Sequence, residues 1–149
     1  MILISHRGNI NGKQSSKENT PSYILEALKF GLDVEVDVWY KNDKWYLGHD
    51  KPQYEIEKSF LFIGGLWVHC KNINALSILC QSGMAEELNA FYHTDEDVVL
   101  TTSRYLWTYP RNQLYPNSVC VIPELGFIGD LKKCYGICSD NILNYKNLL

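Results

Sequence analysis

The chain has 149 residues, 46% hydrophobic and 21% charged, a length and balance that suit one domain (residues 1–149) with a real core. Its formal charge of −3 excludes the basic field that draws nucleic acid or anionic membrane, so an anionic ligand must be held by local cations. No stretch approaches the roughly 20 apolar residues of a membrane span, and no basic leader precedes an apolar run at the N-terminus.

In chain order, residues 2–5 (ILIS) form a short apolar run suited to a buried strand, which leads into His6-Arg7-Gly8 and the polar loop NINGKQSSKEN. The segment TPSYILEALKFG predicts a helix, with Thr20 as cap, Pro21 in the first turn, Ile24, Leu25 and Leu28 as apolar face and Gly31 as stop. DVEVDVWY alternates valine with acid at period two, so Glu35 and Asp37 project from one face of a strand and the valines from the other. KWYLGHD completes a hairpin that ends at His49-Asp50. LWVHCKN predicts a third main strand, INALSILCQSG a helix that stops near Gly83, and NAFYH a fourth strand. RYLWTYP, SVCVIPE and YGICSDN predict three more strands, and NILNYKNLL a closing helix. Strands and helices alternate early in the chain, which favours parallel pairing through crossover helices.

Five cysteines, an odd number without paired Cys-x-x-Cys spacing, read as reduced thiols of a cytoplasmic protein. Cys70, Cys120 and Cys138 fall in or at the ends of predicted strands and read as packing residues.

The four histidines, His6, His49, His69 and His93, each fall at or just beyond a strand end. Parallel α/β folds carry their active sites there, on the loops that follow. Glu35 and Asp37 are suited to sharing a hard cation such as Mg²⁺ or Ca²⁺; the alternative is structural pairing with Arg7 and Lys71. A strand inside a parallel sheet has no solvated face, so two unpartnered carboxylates would be costly there. Arg7 and Lys71 supply charge for an anionic oxygen, and two histidines can divide the work of general base and general acid. This inventory suits phosphoryl transfer. His93 is a candidate to reach the same pocket, as is Glu124, while Asp95, Glu96 and Asp97 read as a solvated turn. Trp107 and Tyr109 read as a wall for a sugar or alcohol group, with core packing as the alternative.

The ordered set SHRGN, ENTP, VEVDV and LGHD resembles the N-terminal half of the glycerophosphodiester phosphodiesterase family, strongly over about the first 50 residues. Beyond them VHCKN stands where that family has a Glu-x-Lys strand, LWTYP is similar to its Trp-Thr strand, and GICSD to its closing strand. The resemblance implies an α/β fold, a TIM-barrel-like parallel barrel, and hydrolysis of a small-molecule phosphodiester. By position it implies His6 and His49 as the acid/base pair and Arg7 and Lys71 as phosphate contacts; the substrate-side places of His93 and Trp107 rest on the reading of the residues themselves. It implies a divalent cation on Glu35 and Asp37, with Glu18 (of the Glu18-Asn19 pair) contributing to the metal or its surroundings. His69 stands where the family has a metal-binding Glu; as a ligand it would shift preference towards Mn²⁺ or Zn²⁺, and packing is the alternative. TIM barrels need about 200 residues or more, so the outer helices must be several of them short or missing, giving a reduced, compact barrel, or a homo-oligomer must cover what is bare. Two other activities fit the same residues: a lyase that stops at a cyclic phosphate, as in phosphatidylinositol-specific phospholipase C-like relatives, and a phosphate-binding module without turnover.

Overall fold

A computed structural model describes all residues, 1–149. Seven strands run parallel: β1 (Ile2–His6), β2 (Asp33–Lys41), β5 (Leu66–Cys70), β6 (Asn89–Tyr92), β8 (Leu106–Thr108), β9 (Ser118–Val121) and β10 (Gly136–Ser139). Their spatial order is β6-β5-β2-β1-β10-β9-β8. Two short antiparallel extensions complete the sheet. β3 (Lys44–Leu47) and β4 (Tyr54–Ile56) extend from the far end of β2, and β7 (Val98–Leu100) pairs with β8.

The seven parallel strands are the seven main runs read from the sequence; β4 and β7 are too short and too polar in their surroundings to announce themselves. The helices α1 (Pro21–Lys29) and α2 (Ile73–Gln81) lie in the first half of the chain. Thr20 caps α1 by accepting the Tyr23 N–H at 3.4 Å, and Asn72 caps α2 by accepting that of Ala75 at 3.3 Å. The buried face of α1 is Tyr23, Ile24 and Ala27, whereas Leu25, expected in the core, is exposed. Connections in the second half are 3₁₀ turns, and the expected closing helix is a 3₁₀ segment, Ile142–Leu148. No helix is long and apolar enough to cross a membrane.

The alternation in β2 divides the molecule. Val34, Val36 and Val38 point outward and pack with Ile24, Ala27, Ala75 and Leu79 of the two helices. The opposite face turns inward. There Ile4, Trp67, Phe91, Trp107, Val119, Val121 and Cys138, drawn from six strands, form one cluster. Phe91 on β6 and Trp107 on β8, at opposite ends of the strand order, meet with ring centroids 4.6 Å apart. Only a sheet curled back on itself brings these strands together. At the seam Thr102 donates its N–H to Ala90 O at 2.8 Å and accepts the Ala90 N–H on Oγ1 at 2.9 Å. These bonds occupy backbone groups that the edge of β6 would otherwise leave bare.

Candidate active site

The curled sheet gathers polar side chains above the apolar cluster, at the carboxyl ends of β1, β2 and β5. His6 closes β1, Glu35 and Asp37 face inward from β2, and His69 and Lys71 come from β5 and the residue just after it. Register explains the meeting. Asp37 pairs with His69 across β2 and β5, and Glu35 pairs with His6 across β2 and β1.

Asp37 is the centre. It is fully buried, and Arg7 Nε lies 2.8 Å from its Oδ2, His69 Nδ1 3.1 Å from its Oδ1, and Lys71 Nζ 3.5 Å from the same Oδ1. Asn19 clamps it from the other side, donating Nδ2–H to Oδ2 at 2.8 Å and accepting the Asp37 N–H at 2.9 Å. Burial alone would raise the Asp37 pKa; the imidazole of His69 and the charges of Arg7 and Lys71 outweigh it and hold the group well below the usual carboxylate range. His69 is shifted the opposite way. Burial opposes its charge, but Asp37 and Glu35, 3.6 Å from Nδ1, raise its pKa above that of an ordinary imidazole.

His6 is buried and bound at both ends. Its Nδ1 lies 2.8 Å from Asp140 Oδ1, and its Nε2 3.8 Å from Glu35 Oε2. An ionised carboxylate only accepts, so Nδ1 carries a proton towards Asp140, while Nε2 faces Glu35 beyond hydrogen-bond reach. Asp140 is held low: burial works against its charge, and the hydrogen bond from His6 prevails. Asn9 ties this pair to the next loop, donating to Asp140 at 2.7 Å and to Glu18 at 2.9 Å.

Arg7 occupies left-handed backbone space at φ 55, an uncommon conformation for a residue with a side chain. Two hydrogen bonds hold it there, Arg7 N–H to Glu35 O at 3.0 Å and Asn19 N–H to Arg7 O at 3.1 Å. Gly8 follows at φ 94, where an added Cβ would lie 2.6 Å from the Tyr23 ring. The turn thus aims the guanidinium at Asp37 at a local backbone cost, as functional loops often do.

Glu18 stands apart from the other proposed metal residues. Its Oε2 lies 3.6 Å from Arg7, and its other oxygen accepts from Asn9. It therefore sits on the outer side of the guanidinium, away from the Glu35-Asp37-His69 group. His49 is reached by the hairpin: Gly48 N–H donates to Asp37 O at 3.1 Å, and Trp39 Nε1 donates to Gly48 O at 2.6 Å. Its ring is 41% exposed and pairs with Asp50 at 2.6 Å. It shares a polar cleft of about 430 Å³ with Arg7, Lys13, Ser15, Glu18 and Gln53. His6 does not line this cleft; Arg7 and Glu18, which do, connect it to the His6 side, Glu18 through Asn9 and Asp140. A hollow of about 500 Å³ between residues 110–114 and 126–130 is slightly larger but contains none of the candidate residues.

His93 stacks on His69 with centroids 4.5 Å apart and planes 6° from parallel, and its Nε2 lies 3.4 Å from the Tyr109 hydroxyl. Burial first, then the charges of His69 and Lys71, push its pKa down. Trp107, expected beside the substrate, is 2% exposed and packs between Phe91 and Trp67 in the apolar layer. A ring of that size on an inward position of a tightly curled sheet fills the core. Glu124 is exposed and accepts from the Ser139 and Tyr145 hydroxyls and, at 3.3 Å, from the Asp140 N–H, behind the residue that binds His6. Asp95, Glu96 and Asp97 form the solvated turn anticipated for them. Two partners went unassigned in the sequence, Asn9 and Asp140. Asp140 had a signal, since it ends a strand in the same way as the other site residues.

Glu35, Asp37 and His69 present ligand atoms all within 4.8 Å of one another. Glu35 Oε2, Asp37 Oδ1 and His69 Nε2 are buried without a hydrogen-bond partner, a costly state that a bound cation would relieve at the oxygens. On that observation the residues fit a divalent ion. No family model, curated protein or solved structure matches this chain.

Proposed function

We propose that the chain is a metal-dependent phosphodiesterase acting on a small, glycerophosphodiester-like substrate, built on a shortened TIM-like barrel. The observation that carries this reading is the unbroken set of contacts from His6 through Glu35, Asp37 and His69 to Arg7 and Lys71, each no longer than 3.8 Å. Proton carriers, anion-binding cations and a carboxylate pair are brought to one strand-end surface, which is what in-line phosphoryl transfer needs.

Glu35, Asp37 and His69 would hold the cation, whose chemistry is to withdraw charge from the phosphoryl oxygens. Arg7, backed by Asp37 and Glu18, presents N–H groups to the same anion, and Lys71 adds a second positive charge. His6, oriented by Asp140 through Nδ1, is poised to take a proton on Nε2 from the attacking hydroxyl. In this reading His49, which lines the cleft beside Arg7, would return a proton to the leaving oxygen. Phosphorus NMR would show a cyclic phosphate if the attacking hydroxyl belongs to the substrate.

The test is hydrolysis of a chromogenic phosphodiester with Mg²⁺, Ca²⁺ or Mn²⁺ present. His6→Ala and His49→Ala should each lower kcat on the order of 10²-fold or more. Turnover unchanged in both variants would remove the assigned roles.

A further inference from the structure

We infer that the cation site is a nitrogen-containing one that selects a first-row transition ion over Mg²⁺ and Ca²⁺, with His69 Nδ1 as the ligand that decides it. This rests on the reading that a cation belongs at Glu35 and Asp37.

His69 Nδ1 lies 3.1 Å from Asp37 Oδ1 and 3.6 Å from Glu35 Oε1. Ligands about 2.1 Å from a shared ion stand about 3.0 Å apart at a right angle and about 3.4 Å apart at the tetrahedral angle. The two separations are of that size. Asp37 Oδ1 is already ion-paired with His69 and, at 3.5 Å, with Lys71, so an entering ion would take the place of the His69 proton between the carboxylate and the nitrogen. His69 Nε2 is buried without a partner. With an ion on Nδ1 the neutral ring keeps its proton on Nε2, where no neighbouring group competes for it. Stacking on Phe91 and His93, with planes 9° and 6° from parallel, holds the ring plane in position before any ion arrives.

The donor count favours the same class of ion. Ca²⁺ takes six to eight oxygens, and Mg²⁺ prefers oxygen in an octahedral shell. The cluster offers two carboxylates and one imidazole, with Lys71 and Arg7 already drawing charge from Asp37. A hard ion gains little from such a partly neutralised pair, whereas Mn²⁺ or Zn²⁺ gains a bond to nitrogen.

The experiment needs no substrate. The purified chain is titrated calorimetrically with Mn²⁺, Zn²⁺, Mg²⁺ and Ca²⁺, and the Mn²⁺-loaded protein is examined by electron spin echo for ¹⁴N modulation. Wild type should bind Mn²⁺ and Zn²⁺ more tightly than Mg²⁺ or Ca²⁺ and show the nitrogen signal. His69→Glu should lose that signal and reduce the Zn²⁺/Mg²⁺ affinity ratio by about tenfold or more. Absence of ¹⁴N modulation in Mn²⁺-loaded wild type, or no binding of any of the four ions, would overturn the inference even if the variant failed to fold. Nitrogen-ligated binding without phosphodiester cleavage would sink the proposed function and leave this inference standing. Cleavage supported by Mg²⁺ alone, with no nitrogen signal, would do the reverse.

Discussion

Asp140 illustrates how one side chain can act through another. It reaches no phosphate cation and no carboxylate pair; its contact is with His6 Nδ1, and with Asn9 behind it. Its folded pKa is depressed, so its contribution to stability is complete above the unfolded carboxyl value of about 4 and is lost as pH falls through the lower folded value. Asp140→Asn should therefore flatten the decline of Tm below about pH 4, measured by thermal unfolding across pH. The same change frees the His6 tautomer, and kcat should fall on the order of 10²-fold with a smaller change in KM. An unaltered kcat and pH profile would show that Asp140 does not orient His6.

At the scale of the element, the strands explain both the site and the thiols. Period-two alternation sends the valines of β2 to the helices and its acids to the interior, so one short sequence serves core and chemistry together. The cysteines follow the same rule. Cys70, Cys120 and Cys138 are buried in β5, β9 and β10, Cys134 is buried beside β10, and Cys80 is exposed on α2. Burial pushes the Cys70 and Cys120 thiols up to about 12 and that of Cys138 well above its ordinary value. Thiolate is the reactive form, so native protein should show one fast-reacting thiol with Ellman's reagent, lost in Cys80→Ala, and five after denaturation. Several fast thiols in the native state would contradict the strand packing.

For the molecule as a whole, curling of the sheet is the decisive feature, and it depends on aromatic packing. The second edge of β8 is taken by β7, so no ladder joins it to β6; the Thr102 hydrogen bonds and the packing of Trp67, Phe91 and Trp107 hold that side together. Short strands with 3₁₀ connections supply few outer contacts in the second half, so the interior rings must supply more. Trp107→Ala should cost about 3–5 kcal/mol in denaturant unfolding, as large buried aromatics do. The consequence for the site follows from register, since His69 stands one inward position above Trp67 on β5 and His93 follows the end of β6, two residues after Phe91. A loss below about 1 kcal/mol would mean that the seam is held by something other than these rings.

By itself the sequence determined the seven main strands, the two helices with the Thr20 cap of the first, and the common face of Glu35 and Asp37, because each follows from local periodicity and end signals within a few residues. The strand-end placement of all four histidines was legible for the same reason. The tertiary structure decided which of these residues touch. Pairing across β1, β2 and β5 put His6, Asp37 and His69 together; curling of the sheet took Trp107 into the core; and the loop after β1 turned Glu18 towards Arg7 rather than towards the carboxylate pair. It also joined Asp140 to His6 across 134 positions of chain. Contacts at that separation depend on strand order and register, which are properties of the assembled sheet and leave no mark in any short window of sequence.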